Sequence, residues 1–155
     1  MAIRPNFTKA DLQKRFDAFL AMIEKKQIAR LQRLGEMCLI EARNMRGYMM
    51  QTGALLSSTG YMIFKDGVAI HTQFDAASGA ESNASQNGIN AGTSLAEKVG
   101  KETSGISLVV VAGMNYAAYV EAKGYNVLSS AEHLAKRELP RMLEKLISNI
   151  KAAGE

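Results

Sequence analysis

The chain has 155 residues, of which 47% are hydrophobic and 22% are charged, a balance that is ordinary for a soluble globular protein. This length is most simply that of a single domain, residues 1–155, which is large enough to bury a hydrophobic core. No apolar run approaches the roughly 18 residues that span a bilayer, and the N-terminus lacks the apolar centre of a signal peptide. We therefore expect no contact with a membrane and a protein that stays in the compartment of its synthesis.

The net charge of +4 is unevenly distributed along the chain. Residues 1–48 carry ten Lys or Arg against five Asp or Glu, whereas the remainder carries nine against ten. A solvated helix face and a nucleic-acid surface explain this excess equally well. The single cysteine, Cys38, cannot form an internal disulfide, which fits a reducing cytoplasm.

The first predicted element is a long helix that ends near Tyr48. Thr8 and Asp11 form a capping pair at its start, where Phe7 can pack on Leu12. Apolar residues recur on one side of this helix at about 100° per residue: Leu12, Phe16, Phe19, Leu20, Ile23, Leu34, Met37, Cys38, Met45 and Tyr48.

A helix of this length would extend roughly 60 Å, which is more than one small domain can cover. We therefore expect part of it to project, to bend near Gly35 or to pack on another molecule. Ile28 and Leu39 fall on the basic side of the helix. We expect them to be isolated exposed apolar residues, which are common on protein surfaces. The alternative for these two residues is contact with a neighbouring subunit.

A β-hairpin is predicted after the helix. The segments 59–65 and 68–74 are rich in β-branched and aromatic residues, and Asp66-Gly67 between them is the strongest hairpin signal in the chain. Residues 75–105 then contain five Gly, five Ser and three Asn but only three large aliphatic residues. Such a segment buries little apolar surface, so we predict a flexible insertion loop at 75–105, with at most a short helix near 94–99.

The apolar run between Gly105 and Gly113 predicts a central strand. Asn115 is then a plausible N-cap for a short helix that places Tyr116, Tyr119 and Val120 on one face, where we expect the two tyrosines to be buried.

The segment 123–128 predicts a turn and a short edge strand. Ser129 is expected to open a helix, and Pro140 to open a second one after it. Together these elements predict an α+β fold. A small antiparallel sheet, formed by the hairpin and the central strand, would be packed by the long N-terminal helix and a C-terminal helix.

The sequence supplies no arrangement that is typical of catalysis or of metal binding. His71 and His133 lie on different elements without a second ligand at metal-binding spacing. The segment 100–103 lacks the first glycine and the hydroxyl residue of a phosphate-binding loop, and Ser57 and Ser58 lack the glycines of a nucleophile elbow. We therefore predict no catalytic residue, no cofactor, no metal and no enzymatic activity.

Two segments resemble the tail-completion (head–tail connector, or neck) proteins of long-tailed bacteriophages. Residues 111–121 are similar to the family's strand followed by Tyr-Ala-x-Tyr-Val-Glu, and residues 52–58 are similar to its Thr-Gly-x-Leu-x-x-Ser. Both segments occur in the family's order, with a helix before them and a helix after them. The resemblance selects eight residues as motif and interface positions: Thr52, Gly53, Leu55, Ser58, Tyr116, Tyr119, Val120 and Glu121.

This resemblance implies a non-catalytic virion protein, assembled in the cytoplasm of a bacterial host, that forms a homo-oligomeric ring between head and tail. The implied partners are other copies of the chain and the neighbouring neck and tail proteins, while DNA only passes through. The chain departs from the family at residues 123–125, where Gly-Thr is common, and in the length of residues 75–105.

The alternative function is nucleic-acid binding by the basic face of the first helix. That face carries six basic residues: Lys14, Arg15, Lys25, Lys26, Arg33 and Arg43. It lacks interleaved aromatic residues, and the basic excess is small for such a role.

Two roles are open for Glu121, a solvated residue at a helix end and one partner of an ion pair between subunits.

Overall fold

The computed structural model describes residues 3, 6 and 8–154, so the predicted contact of Phe7 lies outside the described residues. The described chain has an α+β fold, as predicted, with a long N-terminal helix, a three-stranded antiparallel sheet and a C-terminal helix. Its elements are α1 (Lys9–Asn44), α2 (Ala54–Ser57), β1 (Thr59–Lys65), β2 (Val68–Gln73), α3 (Ser82–Gly100), β3 (Ile106–Ala112), α4 (Ala117–Ala122) and α5 (Ser129–Gly154).

The sheet has the strand order β2-β1-β3, and both strand pairs are antiparallel. The predicted hairpin is present, with positive φ angles of 49° at Asp66 and 82° at Gly67 in its turn. The prediction that 106–112 is the central strand was wrong, because β1 pairs on both sides and β3 lies at an edge. The apolar run in β3 reflects helices packed near both of its faces rather than a central position.

Helices cover both faces of the central strand β1, whereas the edge strand β2 is largely exposed. On one face α3 contributes Ala96 to a cluster with Met62 and Phe64 of β1. On the other face α1 contributes Leu39, which packs with Tyr61 and Ile63 of the same strand. The strand β1 is therefore buried on both sides, which explains why its apolar residues run continuously instead of alternating.

The helix α1 is capped as predicted, since Thr8 Oγ1 accepts from the Asp11 N–H and Asp11 Oδ2 accepts from the Thr8 N–H. It continues through Gly35, where a side chain would meet the ring of Tyr61 at 2.6 Å. The expectation that Leu39 is exposed was wrong, because that side of the helix faces the sheet.

The N-terminal part of α1 projects beyond the other elements. Every residue from 9 to 21 is exposed, and this segment is here called the arm. Four apolar residues that the periodicity placed on the core side lie uncovered on the arm, and these form the arm stripe: Leu12, Phe16, Phe19 and Leu20.

The prediction of a flexible loop at 75–105 was wrong for most of its length, because Ser82–Gly100 forms α3. The buried face of α3 consists of small residues spaced by three or four positions: Ser85, Gly88, Gly92, Ala96 and Gly100. A side chain at Gly88 would collide with the Ala54 carbonyl, and one at Gly92 with the Ser58 carbonyl. Counting large aliphatic residues missed this close backbone packing, which buries surface without large side chains.

The helix α5 continues through Pro140, so the prediction of two helices was wrong. Leu139 and Met142, on either side of the proline, both pack on α1, and this shared packing keeps the helix continuous although the proline removes one hydrogen bond. No strand forms at 123–128. Within the described part of the chain, no helix is both long and apolar enough to cross a membrane.

Candidate functional site

The two segments that resemble the connector family meet in space, and Ser58 connects them. Its hydroxyl is fully buried and donates to the Leu55 carbonyl oxygen at 2.7 Å. The same Oγ accepts from the backbone N–H of Gly113 at 3.1 Å and of Met114 at 3.4 Å. The short helix α2 is thereby fixed to the end of β3 at the point where α4 begins. Ser58 is a structural residue in the interior.

Leu55 and Val120 belong to the hydrophobic cluster between the two segments. Leu55 packs with the buried residues Ala112, Ala117 and Val127, and the partly buried Val120 lies against them. Because α4 has only six residues, this cluster supplies most of the packing that holds it.

Thr52 and Gly53 form the turn that starts α2. Gly53 has a φ of 88°, a left-handed conformation that favours glycine, and a side chain there would collide with Ala80. Thr52 Oγ1 accepts from the Ala54 N–H at 3.3 Å, and the Thr52 carbonyl accepts from the Glu81 N–H at 2.9 Å. These two motif residues therefore set the start of α2 and connect it to the N-terminus of α3.

Glu121 caps the N-terminus of α5, which is neither of the two roles considered from the sequence. One carboxylate oxygen accepts from the Leu128 N–H, the Ser129 N–H and the Ser129 hydroxyl, and the other accepts from the Val127 N–H, all at 2.8–2.9 Å. Desolvation raises the pKa of Glu121, but the hydrogen bonds from Val127, Leu128 and Ser129 outweigh it and lower the pKa below its ordinary value. A negative charge at this position also suits the positive end of the helix dipole.

The expectation that Tyr116 and Tyr119 are buried was wrong. Tyr116 is 40% exposed and Tyr119 is 64% exposed, while Ala117 is the residue of α4 that enters the core. The Lys123 ammonium lies 5.1 Å from the centre of the Tyr119 ring. The helix begins after Tyr116, without a side-chain cap from Asn115, and this rotates both tyrosine rings outward.

A surface cleft of about 490 Å³, here called the tyrosine cleft, lies between the α1–α2 connection and α4. Five of the eight predicted positions line it, namely Thr52, Gly53, Leu55, Tyr116 and Val120. The sequence reasoning missed five further lining residues with large apolar or aromatic side chains: Tyr48, Met49, Met50, Leu56 and Tyr125.

None of the residues that line this tyrosine cleft is charged. Met49 is 89% exposed at its rim, and Tyr and Met are residue types that are enriched in protein interfaces. The adjacent Met49 and Met50, which follow the predicted end of the first helix, were the available signal, because large apolar residues outside a helix or strand have no regular core position. The cleft can offer apolar contact and hydrogen bonds from tyrosine hydroxyls to a partner.

The remaining polar cluster near the sheet has a structural explanation. The Tyr61 hydroxyl donates to Glu36 Oε1 at 2.7 Å and lies 3.3 Å from His71 Nε2. Burial of the ring, followed by the contact with Glu36, raises the pKa of Tyr61. The cluster satisfies the hydroxyl of a buried side chain. Among the residues that the structure describes, no three His, Cys, Asp or Glu side chains are grouped so as to hold a metal ion.

Comparison of the chain with protein-family models, with curated protein sequences and with solved structures finds no match. The resemblance to the tail-completion family therefore depends on the two short motifs alone.

Proposed function

We propose that the protein is a structural, non-catalytic subunit of the ring that joins the head of a long-tailed bacteriophage to its tail. It would be assembled in the host cytoplasm and would remain in the virion. Its partners would be further copies of itself and the adjacent neck and tail proteins. DNA would pass through the ring without being held, and no cofactor or metal would be needed.

One observation carries this proposal: the described residues leave two separate apolar surfaces uncovered. The arm stripe contributes four side chains that are each between 39% and 58% exposed, and the tyrosine cleft contributes Met49, Tyr116 and Tyr125 at its rim. Contiguous exposed apolar surface of this kind is typical of a subunit that packs against other proteins. The two motifs add support, because five of their residues line the tyrosine cleft.

The experiment is to determine the particle mass of the purified protein by native mass spectrometry and its shape by negative-stain electron microscopy. We expect a closed ring of a single subunit number with an axial channel. Assembly would gain from mass action, so the measurement should cover micromolar to near-millimolar chain concentration. A protein that stays monomeric over this range, or that forms only open filaments, would contradict the ring.

DNA binding separates this proposal from the alternative. A nucleic-acid-binding helix should show micromolar or tighter affinity for duplex DNA at low salt, with a steep loss as salt rises. A connector should bind duplex DNA weakly. Its affinity for DNA should change little when four charges are reversed, those of Lys25, Lys26, Arg30 and Arg33. Tight binding that is independent of sequence and is abolished by that reversal would favour the alternative.

A further inference from the structure

A second apolar cavity, distinct from the tyrosine cleft, lies between α1, α5 and the edge strand β3. This α5 groove has a volume of about 620 Å³, and the described chain leaves it unfilled. Leu139 and Leu143 of α5 form one wall, Leu108 and Val110 of β3 form the other, and Leu34 of α1 lies at the floor. Thirteen of its sixteen lining residues are apolar, counting Cys38 among them, so the groove suits an apolar occupant.

The same chain also carries the arm stripe, which no other described residue covers. The arm cannot enter the groove of its own molecule, because both belong to one uninterrupted helix. Leu34 lies at the groove floor, whereas the arm comprises residues 9–21 of the same helix and runs away beyond the groove. The uncovered stripe and the unfilled groove can therefore meet only between two molecules.

The arm and the groove match in length. The arm of 13 residues, 9–21, is about 20 Å long, and the α5 wall from Ala131 to Leu146 is about 24 Å long at the same helical rise. The stripe presents leucine and phenylalanine side chains to walls made of leucine, isoleucine, valine, alanine and methionine. Burying these side chains removes apolar surface from water on both partners.

The charges at the margins are also complementary. At 100° per residue, Asp17 flanks the arm stripe on one side and Arg15 flanks it on the other. The groove carries Arg30 on its α1 side and Glu132 on its α5 side, where Glu132 shares its charge with the exposed Lys136 at 2.8 Å. One orientation of the arm therefore places Asp17 toward Arg30 and Arg15 toward Glu132, whereas the reversed orientation brings like charges together.

We propose that the arm of one copy of this chain occupies the α5 groove of the next copy. Such a contact joins two different surfaces, so each copy both gives an arm and receives one. Repeated contacts of this heterologous type close into a ring when the rotation between copies allows it. The inference thus rests on the proposed function and names the two surfaces by which that ring would be built.

The test uses two variants that damage opposite sides of the contact. Phe16→Glu with Phe19→Glu charges the arm, and Leu143→Glu charges the groove, all at positions that are already exposed in the single chain. Each variant alone should have the mass of one chain. An equimolar mixture should form a dimer with one copy of each, because the arm variant still has a groove and the groove variant still has an arm. The assembly must stop at two.

Two matched controls lie on the same helices. Ile40→Glu on α1 and Ile147→Glu on α5 alter residues of 57% and 53% exposure that lie outside the arm and the groove, so both should assemble as the unmodified protein does. If the groove variant fails to fold by circular dichroism, Leu143→Cys replaces it. That variant, mixed with Phe16→Cys and a short bis-maleimide, should yield a cross-linked dimer.

The outcomes separate the contact from the proposed function. Rings of the unmodified protein without a dimer in the mixture would overturn the arm–groove contact and leave the proposed function standing. A mixed dimer together with open filaments of the unmodified protein would support the contact and contradict the ring. Self-association of the groove variant through its intact arms would show contact between arms and overturn the inference. An unmodified protein that is always monomeric would overturn both.

Discussion

Glu121→Gln is the most informative single change, because it removes the charge that caps α5 while preserving the shape of the side chain. Oε1 accepts three hydrogen bonds and Oε2 accepts one, and three of the four donors are backbone N–H groups. A glutamine can keep the three bonds to one oxygen but presents an N–H₂ group to the Val127 N–H. We expect a loss of about 1 kcal/mol in the free energy of unfolding for this variant at pH 7.

Removing the whole side chain should cost more. Glu121→Ala leaves all four donors to water or without partners, and we expect a loss of about 2 kcal/mol, the upper range for a helix cap. In a chain of this size that loss lowers the melting temperature by about 4–8 °C. Glu144→Gln is the matched control, because it removes an exposed charge from the same helix and should change the melting temperature little.

The pH dependence identifies the charge as the cause. The folded chain lowers the pKa of Glu121 below its ordinary value of 4.5, so its carboxylate contributes stability that is fully present above pH 4.5. That contribution is lost as the pH falls through the lower pKa of the folded state. The difference between the unmodified protein and Glu121→Gln, measured by urea unfolding, should therefore shrink below pH 4.5. An equal stability at pH 7, or a difference that does not shrink as the pH falls below 4.5, would refute the capping role.

Two further predictions concern packing. Gly92→Ala should lower the free energy of unfolding by about 2 kcal/mol, because the added methyl group meets the Ser58 carbonyl, and urea unfolding with the exposed Asn87→Ala as control measures it. An unchanged midpoint would contradict the close approach of α3 to this end of β1. Tyr119→Ala should cost less than about 0.5 kcal/mol, because the ring is mostly exposed, and a loss above about 2 kcal/mol in the same assay would show that it is buried.

The features that the sequence predicted well depend on neighbouring residues in the chain. The cap at Thr8 needs only Asp11, and the hairpin turn needs only the positive φ angles that Asp66 and Gly67 tolerate. The two strands beside that turn begin and end within one residue of their predicted bounds. Local chemistry is sufficient for such elements, whatever they pack against.

Most of the errors arose where a distant part of the chain decides the outcome. The face of α3 is recognisable only when its small residues are seen to oppose the backbone of Ala54 and Ser58 and the ring of Phe64. Pro140 stays inside a helix because α1 holds both of its sides. The tyrosine cleft depends on the meeting of residues 47–56 with α4, so most of its large side chains were not predicted. Sequence spacing describes an element, but not its neighbour across the fold.

The positions of the motif residues determine how far the resemblance can support a function. Gly53 holds a turn, Ser58 ties α2 to β3, and Glu121 caps α5, so these three residues serve the fold itself. A similarity at such positions argues first for a shared fold, because any protein with this arrangement needs the same turn, tie and cap. Residues that the fold does not need are the ones that point to assembly. Phe16 on the arm and Tyr119 on α4 are of that kind, since both are large, apolar in most of their surface and exposed. A function in assembly should therefore be more sensitive to changes at Phe16 than to changes at Ser58 that leave the fold intact.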